Sequence, residues 1–158
     1  EMPAKNSKSS SDIQIRGTEG LVVSYAKCCY PIPGDPILGY ISQEKGIVVH
    51  RQKCRSINHM KKQSDETIDL SWDDNVDDMF SASIKVEVDN VRGVLAKISS
   101  QIAQNDSNIE SVTYDDTKET GHNIMVFVIS INDVKGLNKL IRKLKKNPNI
   151  LNVERKKS

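Results

Sequence analysis

The three cysteines of the chain all lie in one segment, residues 24–56, which reads SYAKCCYPIPGDPILGYISQEKGIVVHRQKCRS. Cys28 and Cys29 are adjacent, and Cys54 follows His50 by four residues. Thiolates and imidazole are the ligands that a tetrahedral zinc ion prefers, and donors four residues apart can converge on one ion. The pattern therefore predicts a structural zinc site formed by Cys28, Cys29, His50 and Cys54.

A disulfide framework explains these cysteines poorly, because neighbours would form a strained ring and three thiols cannot all pair. Two adjacent side chains reach one metal ion only if the backbone between them bends, and if only one of them binds, His59 is the spare donor. Alternatively, Cys28 and Cys29 are plain small apolar residues, and His50 is hydrogen-bonded at a strand end.

Basic residues surround this cysteine segment. The charged side chains from Lys45 to Lys62 are all basic, whereas those from Asp65 to Asp78 are all acidic. The two blocks could neutralise each other on one surface, or the basic one could face phosphate. A metal-ordered loop would present one set of cations to RNA, and the predicted RNA-binding residues are Lys27, Arg51, Lys53 and Arg55. Aromatic residues are only 4% of the chain, which argues against recognition by base stacking.

Composition limits the class of protein. The chain has 158 residues, of which 37% are hydrophobic and 28% charged, with a formal net charge of +2. These values are typical of a soluble globular chain with one average domain or two small ones. Since the longest apolar-rich stretch, Ile124 to Ile131, is far shorter than the roughly 20 residues of a membrane span, we expect no membrane segment and a cytoplasmic location.

The first part of the chain divides at changes in composition. Residues 1–19 are rich in Ser and Lys and are predicted to form a disordered linker. Residues 20–75 form the predicted cysteine domain, a size at which a metal often supplements a small core. Within this domain we expect a rigid loop at YPIPGDP, a hairpin of strands 37–41 and 46–50, a short helix over 52–62 and a strand over 67–72.

A second domain is predicted over residues 80–158, after the acidic boundary DDNVDD. Apolar residues alternate from Ala82 to Val88 and recur at helical spacing from Val94 to Ile102 and from Val134 to Leu144. The order is strand, helix, strand, strand, helix, strand. With right-handed crossovers this order gives a ferredoxin-like βαββαβ sandwich, so the chain is predicted to be an α+β protein.

Three motifs carry a resemblance to a known family. They are AKCCYPIPGDPILGYISQEKGIVVHRQKC at residues 26–54, the pair Ser71-Trp72, and VRGVLAKI at residues 91–98, which is similar to the first loop and helix of an ACT domain. From about Gly20 to Ser158 the chain resembles the C-terminal end of long RelA/SpoT-type stringent-response enzymes, which make or break (p)ppGpp. The resemblance implies a zinc-finger domain followed by an ACT domain.

The same resemblance implies a function. The hydrolase and synthetase domains of such enzymes lie upstream, so this fragment is expected to be a non-catalytic regulatory region that controls them in the stringent response, whether the parent protein has one of the two activities or both. Its expected partners are those catalytic domains and the ribosome, near the A site and its tRNA. The paired carboxylates at Asp73-Asp74 and Asp115-Asp116, and His122, lie in polar turn-like stretches and suggest no catalysis.

A second functional hypothesis concerns the ACT-like half. ACT domains often bind an amino acid at the loop between the first strand and the first helix, usually across a subunit interface. Here that loop is Asp89, Asn90, Val91, Arg92 and Gly93, and Gly93 would let the backbone approach a ligand carboxylate at the helix N-terminus. The alternative function is thus branched-chain amino-acid sensing through a homodimer. Ordinary helix initiation, with Asp89 or Asn90 as the cap, explains the same residues.

The strand from Ile124 to Ile131 has apolar residues on both faces. Two helices can cover only one face of the sheet, so Ile124, Val126 and Val128 would form an apolar stripe on the other. We expect this stripe to pack against a second copy of the domain or against the cysteine half. Shielding by residues 73–80 or by Tyr114 is the alternative.

Overall fold

Two four-stranded sheets and one two-stranded sheet make up the β-structure that the computed structural model describes, which covers residues 14–18, 20–42, 46–57, 66–89, 92–115 and 122–157. The elements of the first half are β1 (Ile15–Arg16), β2 (Val23–Tyr25), β3 (Ile37–Ser42), β4 (Gly46–Arg51), β5 (Thr67–Asp69) and β6 (Ser71–Trp72). Those of the second half are β7 (Phe80–Val88), α1 (Val94–Gln104), β8 (Ile109–Asp115), β9 (Asn123–Ile131), α2 (Val134–Lys145) and β10 (Ile150–Arg155).

The second half has the predicted ferredoxin-like fold. Its strands are all antiparallel in the order β10-β7-β9-β8, and the alternating apolar residues of β7 belong to the same core as the helices. Each helix buries apolar residues three or four positions apart, the spacing that places side chains on one face. These residues are Val94, Ile98 and Ile102 of α1 and Leu137, Leu140 and Leu144 of α2. The α+β prediction is therefore confirmed.

The sheet of the first half has the order β2-β4-β3-β5, with β2 parallel to β4 and the other pairs antiparallel. Because successive residues of a strand point to opposite faces, β3 and β4 supply two separate apolar clusters. One contains Ile37, Ile47 and Val49, and the other contains Tyr40 together with Cys29, Cys54 and Ile57. Cys29 and Cys54 therefore belong to the core on one face of this sheet, whereas Cys28 is exposed.

The structure corrects two expectations about the first half. Within the linker predicted over residues 1–19, residues 1–13 and 19 lie outside the described ones, but Ile15–Arg16 forms β1 and Ile15 is 5% exposed. The strand predicted over residues 67–72 is two strands: β5 pairs with β3, whereas β6 pairs with β1. Burial of Ile15 and backbone pairing with Trp72 override the polar composition around β1. Of the helix predicted over residues 52–62, residues 55–57 are helical and residues 58–62 lie outside the described ones.

The YPIPGDP loop joins the two halves. Ile32 is fully buried among the core residues of the second half, and the backbone N–H of Val134, the first residue of α2, donates to the Pro33 carbonyl at 2.9 Å. Asp35 accepts two hydrogen bonds of 2.7 Å from the guanidinium of Arg155. The predicted extended loop is thus a connection that inserts into the neighbouring domain.

Three aromatic rings reinforce this connection. Trp72 lies 5.9 Å from Tyr25 and 5.3 Å from Phe80 between ring centroids, and its indole N–H donates to the Asp35 carbonyl at 3.0 Å. Such stacked and edge-on pairs stabilise the contact by more than the apolar area they bury would predict.

Across the described residues, neither helix combines the length and apolar character that crossing a bilayer requires.

Candidate metal centre

Backbone pairing brings the cysteine pair to the end of β4. Tyr25 lies opposite Val49 in the parallel pair of β2 and β4, and the Ala26 N–H donates to the Val49 carbonyl at 2.9 Å. The chain then turns, with a hydrogen bond of 3.0 Å from the Tyr30 N–H to the Ala26 carbonyl. This turn provides the bend that Cys28 and Cys29 need if both side chains are to face one point. That point lies next to His50, which follows Val49 in β4.

The four predicted ligands come together there. Their donor atoms all lie within 4.8 Å of one another. Cys28 Sγ is 3.6 Å from Cys54 Sγ and 3.4 Å from His50 Nδ1, and Cys29 Sγ is 3.9 Å from the same nitrogen. A tetrahedral zinc with usual bond lengths places two sulfurs about 3.8 Å apart and a sulfur and a nitrogen about 3.6 Å apart. The donor set can therefore hold a metal ion without a large rearrangement.

Burial of the cluster opposes ionisation of its thiols in the absence of a cation. Cys29, His50 and Cys54 are buried, and burial raises the pKa of the Cys29 thiol to about 12, although a hydrogen bond from the Arg51 backbone N–H opposes this shift. Burial also raises the pKa of Cys28. A divalent cation would offset the cost of burying a thiolate, because its positive charge stabilises the coordinating sulfur after the proton has left to solvent. The Arg51 N–H, 3.3 Å from Cys29 Sγ, is placed to support such a thiolate.

The predicted basic residues fall into two groups. Lys27, Lys53 and Arg55 are exposed beside the cysteine cluster. The Arg51 side chain is only 23% exposed and its Nε lies 3.7 Å from the carboxylate of Asp35. Arg51 therefore belongs to the connection between the halves, and the other three cations are accessible to a partner. His59, the spare metal donor, lies outside the described residues.

Sequence reasoning missed Asp35. This residue is 7% exposed, and its carboxylate accepts from the Ile32 N–H at 2.9 Å and pairs with both Arg51 and Arg155. The tight PGDP turn was a signal that could have pointed to a structural aspartate. Its main partner is 120 residues away along the chain and gave no local signal.

The paired carboxylates have structural partners. Asp73 Oδ1 lies 2.8 Å from Arg16 Nε, and this hydrogen bond lowers the pKa of Asp73, while Asp74 lies 3.3 Å from the same guanidinium. Asp116 lies outside the described residues. His122 Nδ1 is 3.2 Å from the Asp89 carboxylate.

The predicted amino-acid loop borders a cavity of about 190 Å³. Asn90 and Val91 lie outside the described residues, and the cavity is lined by Asp89, Arg92, Gly93, Val94, Lys97 and Asn149. Gly93 is the N-cap of α1, with a φ of +83° and no side-chain capping hydrogen bond. The alternative in which Asp89 caps this helix is therefore wrong.

Comparisons with known proteins match both halves of the chain. A family model described as the RelA/SpoT RIS domain matches residues 13–73, and an ACT domain model matches residues 77–155. The bifunctional (p)ppGpp synthase/hydrolase SpoT of Escherichia coli (strain K12) is 32% identical over 152 residues, which is 96% of this chain and 21% of that protein.

Two further relatives come from the same group. The GTP pyrophosphokinase of Escherichia coli (strain K12) is 30% identical over 155 residues, which is 97% of this chain and 21% of that protein. The crystal structure of the ACT domain from GTP pyrophosphokinase of Chlorobium tepidum has a TM-score of 0.42 at 24% identity, and covers 50% of this chain and all of that one. The chain spans about a fifth of the length of the curated relatives it matches.

Proposed function

Since this chain belongs to the RelA/SpoT family and carries its RIS and ACT domains, we propose that it is a regulatory region that binds the ribosome and controls catalytic domains of the same parent chain. The parent would be a (p)ppGpp synthetase, a hydrolase or both, working in the cytoplasm during the stringent response. The chain is homologous to the regulatory C-terminal region of such enzymes, which is consistent with no catalysis of its own.

The proposed cofactor is one structural zinc ion held by Cys28, Cys29, His50 and Cys54. The support is the mostly buried set of three thiols and an imidazole at near-tetrahedral separations. Soft thiolates with imidazole favour zinc over magnesium or calcium, which prefer oxygen ligands. All four ligand positions come from the protein, as in structural sites, so the ion would order the turn rather than catalyse a reaction.

The observation that carries the ribosome proposal is the position of three exposed cations, Lys27, Lys53 and Arg55, each within one residue of a proposed metal ligand. A metal that fixes the ligands fixes the backbone of these residues with them. Cations held in one arrangement lose little conformational entropy when they contact phosphates. The proposed surface therefore recognises the shape of the RNA backbone.

Co-sedimentation with ribosomes over a range of salt concentrations tests this proposal. The double variant Lys53→Glu/Arg55→Glu should bind ribosomes at least about tenfold more weakly. The remaining binding should depend less steeply on salt, because fewer phosphate contacts release fewer counterions. The matched control is Lys145→Glu/Lys146→Glu, which makes the same charge change at exposed residues near the end of α2. Equal binding by both double variants would contradict the proposal.

The second candidate is amino-acid sensing by the ACT half, together with dimerisation. It is favoured by the cavity beside the start of α1, where the N-cap residue is Gly93 and where Arg92 and Lys97 could meet a ligand carboxylate. Calorimetry with valine, isoleucine and leucine, with light scattering of the same samples, tests it. Gly93→Val, at a φ of +83°, should abolish any such binding, whereas absence of heat with the unaltered chain would exclude this function.

A further inference from the structure

A groove of about 180 Å³ separates the cysteine turn from the second sheet. Residues 27–30 line one side of it, and the other side is the sheet face opposite the helices. Val126 and Val128, two members of the predicted apolar stripe, are half-buried in this groove beneath the turn. The groove therefore contains residues of both halves and lies directly beside the proposed metal ligands.

Hydroxyl-bearing residues line the sheet side of the groove. Ser83 is 6% exposed and lines the groove from β7. The exposed hydroxyl residues Ser111 and Thr113 line the same groove. Three hydroxyl groups from β7 and β8, the two strands that pair with β9, therefore line one face of the groove and can donate to a bound polar group.

The charge of the groove is positive. Lys27 reaches it from the first half and Lys156 from the second, and no ion pair involving either lysine is found in the described part of the chain. None of the residues that line the groove is a carboxylate. Three thiolates and a neutral imidazole around one zinc ion would carry a net charge of −1. The two positive ammonium groups outweigh this negative charge, so the groove remains attractive to an anion.

We propose that this groove binds a small phosphate-bearing anion that bridges the two halves of the chain. Two ammonium groups and three hydroxyls offer hydrogen-bond donors from several directions, which suits the oxygens of a tetrahedral phosphate better than the planar pair of a carboxylate. The half-buried valines limit competing water and strengthen the attraction. The Lys156 backbone N–H donates to the Ser83 carbonyl at 2.8 Å, which fixes these two residues side by side.

The proposal is tested on the zinc-loaded chain with inorganic phosphate and pyrophosphate as probes, by calorimetry and thermal shift at constant ionic strength. Lys156→Met and Ser83→Ala should each weaken binding about tenfold, because each variant loses one charge-assisted hydrogen bond to the phosphate. Lys157→Met is the matched control, since this neighbouring lysine is exposed and does not line the groove. Zinc content should stay the same in all variants.

Several results would overturn the proposal. Absence of phosphate and pyrophosphate binding at millimolar concentrations would do so, as would equal binding by Lys156→Met and Lys157→Met. Equal binding of acetate would show that the ligand class is wrong. If Lys156→Met lost ribosome binding instead, the groove would be contacting an RNA phosphate. Conversely, Lys53→Glu/Arg55→Glu should keep phosphate binding, so failure of the ribosome proposal and failure of this one give different results.

Discussion

The two halves of this chain are stabilised in different ways. The second half has one continuous core, to which both helices and three strands contribute buried apolar residues, while partly buried residues of β8 pack against it. In the first half, the sheet separates two small clusters, and one of them is built around Cys29 and Cys54. A small divided core supplies little hydrophobic stabilisation. We therefore expect the first half to depend on a metal and on its neighbour, and the second half to need neither to the same extent.

The contacts between the halves show the same asymmetry. The first half gives Ile32 to the core of its neighbour, and it receives Arg155 as the partner of its buried Asp35. The loop that makes both contacts begins directly after Cys29. Order at the proposed metal centre and order at the domain interface are therefore linked through a few residues of one loop.

Removal of the metal should have the largest effect. Structural zinc contributes an apparent free energy of about 10 kcal/mol or more to small domains, so chelation or Cys54→Ser should unfold the first half. Hydrogen exchange should then show lost protection in β3 and β4 and retained protection in β7, β9 and α1. Metal analysis of the untreated protein should find about one zinc per chain. Unchanged exchange in β3 and β4 after chelation would contradict the proposed metal centre.

Asp35→Asn should have the next largest effect, because it leaves two guanidinium groups without their buried carboxylate. Breaking a buried pair costs about 3–5 kcal/mol, and the 16% exposure of the Arg155 side chain places the expected loss near the lower value. The free energy of unfolding, measured with denaturant, should fall by about 3 kcal/mol, and protease should gain access to the loop at residues 30–36.

Asp73→Asn is the matched control, since it removes a carboxylate from an exposed pair with Arg16. Surface pairs contribute little, so this variant should unfold at nearly the same denaturant concentration as the unaltered chain. Equal losses in the two variants would show that the Asp35 contact does not differ from a surface ion pair.

Much of the second half could be predicted from sequence because its signals are local. The alternation from Phe80 to Val88 and the helical spacing of α1 and α2 each arise within one element. The cluster of Cys28, Cys29, His50 and Cys54 could also be predicted, because few residue types bind zinc and this chain has only three cysteines. The chemistry of cysteine and histidine restricts which residues of a sequence can be metal ligands, even when their positions in space are unknown.

The connection between the halves could not be predicted in the same way. Asp35 and Arg155 are far apart in the sequence, and nothing in the residues around either one indicates the other. The same holds for β1, since Ile15 is apolar in a polar segment and pairs with a strand more than 50 residues later. Leu70 interrupts the predicted strand because β5 and β6 join different sheets. Each of these features depends on tertiary contacts that override local composition.

Ile32→Ala tests whether the first half stabilises its neighbour by packing. Truncating a fully buried isoleucine costs about 2–4 kcal/mol, and here the loss should appear in hydrogen exchange of β7 and α2 although the residue belongs to the other half. Ile98→Ala is the control within the second half. Both variants should lower the stability of that half, but only Ile32→Ala should also loosen the loop beside Cys29. Loss of protection in the first half alone would contradict the packing seen for Ile32.

The smallest expected effect comes from Asp133→Ala at the start of α2. Asp133 Oδ1 accepts a hydrogen bond of 2.7 Å from the Gly136 N–H, and loss of such an N-cap costs about 1 kcal/mol. The Pro33 carbonyl accepts from the next residue, Val134, so fraying of this first turn should also weaken the contact between the halves. Asp133→Asn retains a capping oxygen and should restore most of the loss. If denaturant unfolding detects the loss in Asp133→Ala while exchange in the loop at residues 30–36 stays unchanged, then the first turn of α2 and the loop are not coupled, and the Val134 contact contributes nothing to holding the two halves together.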